Sequence, residues 1–415
     1  MEKAEIEYKA LTASPNINGE TKLVITDKSL IVKTTFDLEE IPFVEINALL
    51  LDDYIVTVKA DNGDYVFSKL GNWCQPFYDV LCEEYNKAVL RSLFVKGEPI
   101  VTAKGDYFYN EADRSAGGSA PVYVYENCVV VLPTNLGARR VPLCFTCEMV
   151  KGDFELTLRL DTGEDYTWSK LGYDTAPFSE AVEKQISALR EKSFAAIREL
   201  DPSMSAAQGS QLVKIIPQGA AAAIGLLGGI APSFVAALEA KIENTRAAET
   251  YSFFKEMCDP AKILIGFRKN EAAVEEAAEE PTAAEPTAVT DEAETEAEAE
   301  APDPYLLWLI APSPDGQYAA VEFAEKNAAT FVYKTDGDFD GFSRQLSRAL
   351  EAIDFKREVI RLPDAELRIP ENADYFMAAK RTAALRFIRA GFIGRVIHSS
   401  PEAWKRKLEE YWGEK

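Results

Sequence analysis

The sequence holds a single histidine, His398, among 415 residues. Imidazole is the side chain best suited to proton transfer near neutral pH, so its scarcity excludes most triad, proton-shuttle and histidine-metal chemistry. Cysteine is sparse as well, with six residues at 74, 82, 128, 144, 147 and 258, and no disulfide framework is suggested. Positive charge is in deficit. Against 68 Asp and Glu stand 45 Lys and Arg, and the net charge of −23 opposes nucleic acid and anionic lipid wherever no local basic patch overrides it. Residues 1–7 carry no basic stretch followed by an apolar run, so a secretory signal is not expected and a reduced, cytoplasmic protein is. The one long uncharged stretch, 215–238, leaves only 14 residues between Pro217 and Pro232, short of the roughly 20 that a membrane span needs. It reads as a cluster of short helices, with Pro232 in the first turn of a helix over 233–244. It offers no Lys or Arg to phosphate, and no nucleic-acid partner is expected.

What is present, most clearly, is a duplication at an offset of about one hundred residues. Ser68-Lys69-Leu70-Gly71 recurs as Ser169-Lys170-Leu171-Gly172, and the turn Asp61-Asn62-Gly63 recurs as Asp161-Thr162-Gly163. Pro76-Phe77 and Pro177-Phe178 then open helical patterns with apolar residues at Phe77, Leu81, Tyr85 and Ala88, and at Phe178, Val182, Ile186 and Leu189. Spacings of four, four and three make one stripe on a helix. The stripe appears a third time at Phe342, Leu346, Leu350 and Ile353, after strand-like runs over 318–325 and 330–334. Those runs match the hairpins 54–60 with 65–68 and 154–160 with 166–169. Earlier strands of the first copy are expected over 5–10, 21–26, 29–34 and 43–46. A small antiparallel sheet must cover its apolar face, and the striped helix is the cover.

This pattern of short strands closed by one helix resembles the pleckstrin-homology-like fold, a bent antiparallel barrel plugged by a C-terminal helix. The resemblance covers about half the chain well and a further fifth, the third copy, in part. It implies an α+β protein of tandem units at 1–96 and 97–202, a helical segment at 203–258, a partial third unit at 259–360 and a basic C-terminal helical region at 361–415. Members of the family that bind phosphoinositides use basic residues in the first hairpin loop. Here the loop 11–20 has none and the loop 110–121 has only Arg114, which leaves protein binding as the implied use.

Little of the sequence suggests chemistry. Cys144 and Cys147 form a CxxC, but alignment of the copies sets them at the end of a strand, where residues three apart face opposite ways, and no second pair or histidine completes a metal site. Ser68-Lys69 and Ser169-Lys170 read as a strand-end signature, with the following Leu in the core and Gly setting a turn. No carboxylate pair stands out by spacing, the glycines form no phosphate loop, and His398 reads as a strand residue. No catalytic residue, cofactor or metal ligand is therefore assigned.

Two charged segments remain. From 271 to 304 there are 13 acidic residues and no basic one, a composition that favours a disordered loop inserted within the third unit. A solvated spacer is the plain reading and a tail for a basic partner the alternative. From Lys380 to Lys407, eight basic residues face the single acid Glu402. Lys380, Arg381, Arg386, Arg389 and Arg395 are the candidate partner-binding residues. The same segment can instead pack on the body of the protein with its basic side paired or solvated. The expectation is a non-catalytic interaction or scaffolding protein with an unknown protein partner. The alternatives are a peripheral membrane protein docked through 380–407, or an enzyme of unrecognised type.

Overall fold

The structure, a computed structural model, describes residues 6–112, 114–270, 304–324, 329–398 and 400–413. It is α+β, and the chain divides into two units, Met1–Arg190 with Arg344–Gly391, and Glu191–Ser343 with Phe392–Lys415. The acidic run over 271–304 lies outside the described residues but for Pro304.

The first unit contains the duplication. Its opening sheet comprises β1 (Glu7–Ala13), β2 (Asn18–Ile25), β3 (Ser29–Lys33), β4 (Leu38–Pro42), β5 (Ile46–Asp52), β6 (Ile55–Ala60) and β7 (Gly63–Ser68), antiparallel in the order 4-3-2-1-7-6-5. Alternation sets the faces. Tyr8, Ala10 and Thr12 turn inward from β1, while Glu7, Lys9 and Ala13 face solvent. A helix, α1 (Cys74–Ser92), follows and buries Phe77, Leu81, Tyr85 and Ala88 in the core of this sheet.

The second sheet repeats the arrangement with β8 (Val101–Asn110), β9 (Ser115–Val124), β10 (Cys128–Val131), β11 (Arg139–Pro142), β12 (Thr146–Lys151), β13 (Glu155–Leu160) and β14 (Asp165–Ser169). Its helix, α2 (Thr175–Leu200), buries Phe178, Val182 and Ile186. At both strand exits the shared tetrapeptide does the same work. Lys69 and Lys170 take the left-handed conformation, with φ of 57° and 55°, as do Gly71 and Gly172 at 60° and 62°. Two left-handed residues so close together turn the chain from strand into helix, and only glycine adopts that conformation without cost. Leu70 and Leu171 between them are buried.

The run 43–46, expected as a strand, is instead a 3-10 turn (Phe43–Glu45) before β5, matched by Leu143–Phe145 before β12. Phe43 and Ile46 are both buried, and a spacing of three suits one such turn rather than strand alternation. The edge strand β5 does not stay open. The Leu49 N–H donates to the Thr134 carbonyl at 2.8 Å, and the Leu136 N–H donates to the Asn47 carbonyl at 3.0 Å. A loop of the second copy thus occupies the free edge of the first. Two antiparallel sheets, each trailed by a helix, are compatible with the pleckstrin-homology-like expectation.

The chain returns to this unit at Arg344, partway along the helix Phe339–Ala352. Arg348 comes within 3.5 Å of Glu164 and donates to the Arg140 carbonyl at 3.0 Å, while Arg140 pairs with Glu351. Arg139 grips Glu111 through two bonds, of 2.8 and 3.2 Å, and the Tyr166 hydroxyl lies 3.0 Å from both Glu111 and Glu164. Three carboxylates thereby meet three guanidiniums, all buried but for the partly exposed Glu351, the arrangement under which buried charge is tolerated. Burial also pushes the nearby Cys128 thiol up to about 11. Further along, the helix Ala373–Arg381 places Met377 in the core of the first sheet.

The second unit has a six-stranded antiparallel sheet of β15 (Ala221–Ala223), β16 (Leu264–Lys269), β17 (Tyr305–Pro312), β18 (Tyr318–Phe323), β19 (Ala329–Lys334) and β20 (Phe392–Ile397), paired in chain order. The helices α3 (Ala206–Ile215), α4 (Ile224–Ile230), α5 (Pro232–Glu243) and α6 (Ala247–Met257) precede β16, and Pro232 occupies the first turn of α5. The region 215–238 is short helices with one addition, the three-residue strand β15, which pairs Ala221–Ala223 with Leu264–Gly266. Among the described residues no helix is long and apolar enough to cross a membrane. Phe342 packs on Tyr333 with ring centroids 5.4 Å apart. A last helix, Pro401–Tyr411, begins where the Ser400 hydroxyl accepts the Ala403 N–H, and it buries Trp404 and Leu408.

Candidate functional site

Of the five basic C-terminal residues that the sequence singles out, four are held by specific partners. The Lys380 ammonium donates to the Val44 carbonyl at 3.0 Å and to both oxygens of Asp61 at 2.8 and 3.0 Å. Burial works to raise the Asp61 carboxyl, but the bonds from Lys380 and Asn47 outweigh it and hold the group below the usual carboxylate range. Arg381 is 1% exposed and donates to the Tyr85 hydroxyl at 2.7 Å. Arg386 donates to the carbonyls of Ala379 and Lys380. Arg389 donates to the carbonyls of Val359 and Leu362 and pairs with Asp364 at 2.6 Å. Arg395, on β20 in the second unit, is exposed. The five do not assemble into one basic face, since four of them bond within the first unit.

Other residues with chemical promise are also engaged. His398 follows β20, and its Nε2 lies 3.3 Å from Glu322 and 3.1 Å from the Thr330 hydroxyl. That hydroxyl donates to Glu322 at 2.7 Å and accepts the Trp404 indole N–H at 2.8 Å. Glu322 and Thr330 are wholly buried, so the cluster ties β18, β19 and the last helix together beneath the surface. All six cysteines are free thiols. Cys144 lies in the 3-10 turn and Cys147 on β12, where its thiol donates to the Arg159 carbonyl at 3.2 Å. Among the described residues no group of three or more His, Cys, Asp or Glu side chains is placed to hold a metal ion.

A groove of about 670 Å³ lies on the outer face of the first sheet. Its walls carry Lys9, Lys22, Lys33 and Lys69, interrupted by Glu7 and Glu20, with Ala10, Leu11 and three threonines completing the lining. Strand register builds the row. Lys9 on β1 stands opposite Lys22 on β2, and Lys22 opposite Lys33 on β3. Like charges directly opposite one another destabilise a sheet unless something negative lies between them. Glu7 supplies part of that, pairing with Lys22 at 2.7 Å. The Lys22 ammonium, helped by Lys33 and Lys9, holds the Glu7 carboxyl below the usual carboxylate range. Among the described residues nothing pairs with Lys9, Lys33 or Lys69. The arrangement can therefore hold an anion whose charges are spread across several lysines.

Sequence reasoning misses this groove. Lys9, Lys22 and Lys33, taken alone, are ordinary outward residues on alternating strands, and only the register across three strands sets them in line. The signal lies in the outward positions of the strands expected over 5–10, 21–26 and 29–34, not in the first hairpin loop. No protein-family model matches the chain, and no curated protein matches it.

Proposed function

We propose that the chain is a non-catalytic interaction or scaffolding protein of the cytoplasm, built from two pleckstrin-homology-like modules and working through the groove on the first. The observation that carries this reading is the lysine row itself, a solvent-facing groove in which four lysines outnumber Glu7 and Glu20, in a chain whose net charge is −23. Support comes from the contrast with the groups of greatest chemical promise. His398, Glu322 and Thr330 are bonded to one another, and Glu322 and Thr330 are shut away from solvent. Docking on an anionic membrane through 380–407 has less support, because four of its five candidate residues already bond within the chain.

The test uses the full chain as bait, as wild type and as the Lys9→Glu/Lys22→Glu/Lys33→Glu variant, with bound proteins identified by mass spectrometry. A partner held by the wild type and lost from the variant is the expected result. Turnover of a substrate from a panel of esters and metabolites, abolished by one substitution, overturns the reading.

A further inference from the structure

The duplication supplies an internal reference for the groove, because the two modules share a frame and differ in what they hang on it. Across β1 and β7, Leu11 stands opposite Ser68; across β8 and β14, Asp106 stands opposite Ser169. Ser68 and Ser169 open the repeated tetrapeptide, so Leu11 occupies the place that Asp106 occupies in the second module. The consequence falls on the next residue. Lys170 pairs with Asp106 at 2.6 Å, and each holds the other in its charged form. Lys69, with the same left-handed backbone, has a leucine where that acid would be.

The row itself differs in the same direction. Where the first module lines up Lys9, Lys22 and Lys33, the second has Lys104 opposite Pro121, followed by Leu132, whose N–H donates to the Pro121 carbonyl. The frame therefore folds without the lysine row and with Lys170 neutralised. The second module keeps a lysine at two of the four places, Lys104 and Lys170, and has Pro121 and Leu132 at the other two; of the four lysines in the first module, Lys9, Lys33 and Lys69 have no partner among the described residues.

We propose that this groove receives an acidic polypeptide segment of a partner protein in extended form, with carboxylates recurring along one side. The proposal rests on the interaction reading above and deepens it. Two features select such a ligand over a compact polyphosphate. The lysines are spread out, with Lys9 and Lys33 two strand spacings apart, on the order of 9–10 Å. Glu7 and Glu20 sit among them and would repel a dense cluster of negative charge. Alternate residues of an extended peptide recur on one side at roughly 6.5–7 Å, within the reach of flexible lysine stems. Such a peptide gives each lysine its own carboxylate and leaves gaps for the two glutamates.

The experiment measures binding of a fluorescently labelled (Glu-Ala)5 peptide to the full chain by fluorescence anisotropy, at low salt and again with added sodium chloride. Expected are saturable binding that weakens with salt, a loss of about tenfold or more in Lys9→Glu/Lys33→Glu, and a smaller loss in Leu11→Asp. Leu11→Asp installs the acid of the second module and neutralises Lys69. All three positions face outward, and unchanged circular dichroism confirms that the variants fold. Inorganic triphosphate and phosphatidylserine vesicles form separate arms. Binding of either that depends on the same lysines, with no binding of the peptide, overturns the proposal.

A further arm uses the chain with Glu292, Glu294, Glu296, Glu298 and Glu300 changed to Gln. Peptide binding seen only with this variant assigns the groove to the chain's own acidic run and overturns an external partner. Capture of a partner that survives Lys9→Glu/Lys33→Glu, with no peptide binding, sinks this inference alone. Catalytic turnover sinks the interaction reading beneath it.

Discussion

Glu111 and Arg139 lie where water does not reach them, each side chain 2% exposed, and their worth lies in mutual compensation. Replacing such a pair by apolar groups is often harmless, whereas removing one partner leaves a bare charge in a poorly polarisable interior. Glu111→Ala is therefore expected to cost about 3–5 kcal/mol in urea unfolding, and Glu111→Ala/Arg139→Met to recover part of the loss. A single-variant cost below about 1 kcal/mol contradicts this. Asp61 makes the opposite kind of contact, at the surface and dependent on pH. Its carboxyl titrates lower in the folded chain than in the unfolded one, so its contribution is present above the unfolded value, near 3.9, and is lost as pH falls through the folded value. The wild type is expected to exceed Asp61→Asn in urea midpoint near neutral pH, with the gap closing below about pH 4. A gap that does not change with pH rules out the Lys380 contact as its source.

Elements differ in how openly the sequence declares them. The striped helices are legible because a spacing of four, four and three has one geometric meaning, and Phe77, Phe178 and Phe342 are all buried. Hairpins closed by Asp-Asn-Gly and Asp-Thr-Gly are legible for the same reason, since turn chemistry and alternation agree. The strands β4 and β5 are not. β4 opens Leu-Glu-Glu and β5 is apolar throughout 48–51, so neither alternates in a way that announces a half-buried strand. The lysine groove escapes because register depends on turn length, and a slip of one residue would have turned every lysine to the other face. Gly266 shows how tightly register is fixed inside the second sheet. It stands opposite Trp308 on β17, and a Cβ there would fall within the indole ring of that wholly buried side chain. Gly266→Ala is expected to cost about 1–3 kcal/mol, read as a lower melting temperature, because the ring must leave its place to admit a methyl group. An unchanged melting temperature would mean that β16 and β17 are not in this register.

On the scale of the whole molecule, the chain passes between its two units three times, after Arg190, after Ser343 and after Gly391. The last two crossings are hidden in the sequence. Arg344, Arg348 and Glu351 occupy the polar side of an amphipathic helix, where charge ordinarily means water, and here Arg348 and Glu351 are instead the counterions of Glu164 and Arg140. A cut at the apparent module boundary, after residue 202, keeps both seven-stranded sheets and both trailing helices yet removes those counterions. It also removes Met377 from the first core and Lys380 from Asp61. The fragment 1–202 is therefore expected to be weaker by at least about 3–5 kcal/mol than the same sheets in the full chain. Hydrogen exchange localises the loss, with amides of β11 and β14 exchanging faster in the fragment than in the full chain. Where the fragment fails to fold, Arg140→Met with Glu164→Gln within it removes the two stranded charges and is expected to restore part of its stability. A fragment that protects β11 and β14 as fully as the intact chain would show that the returning segment only rests on the sheets. Protection regained through those two substitutions would instead identify the returning helix as the source of charges the second sheet cannot do without.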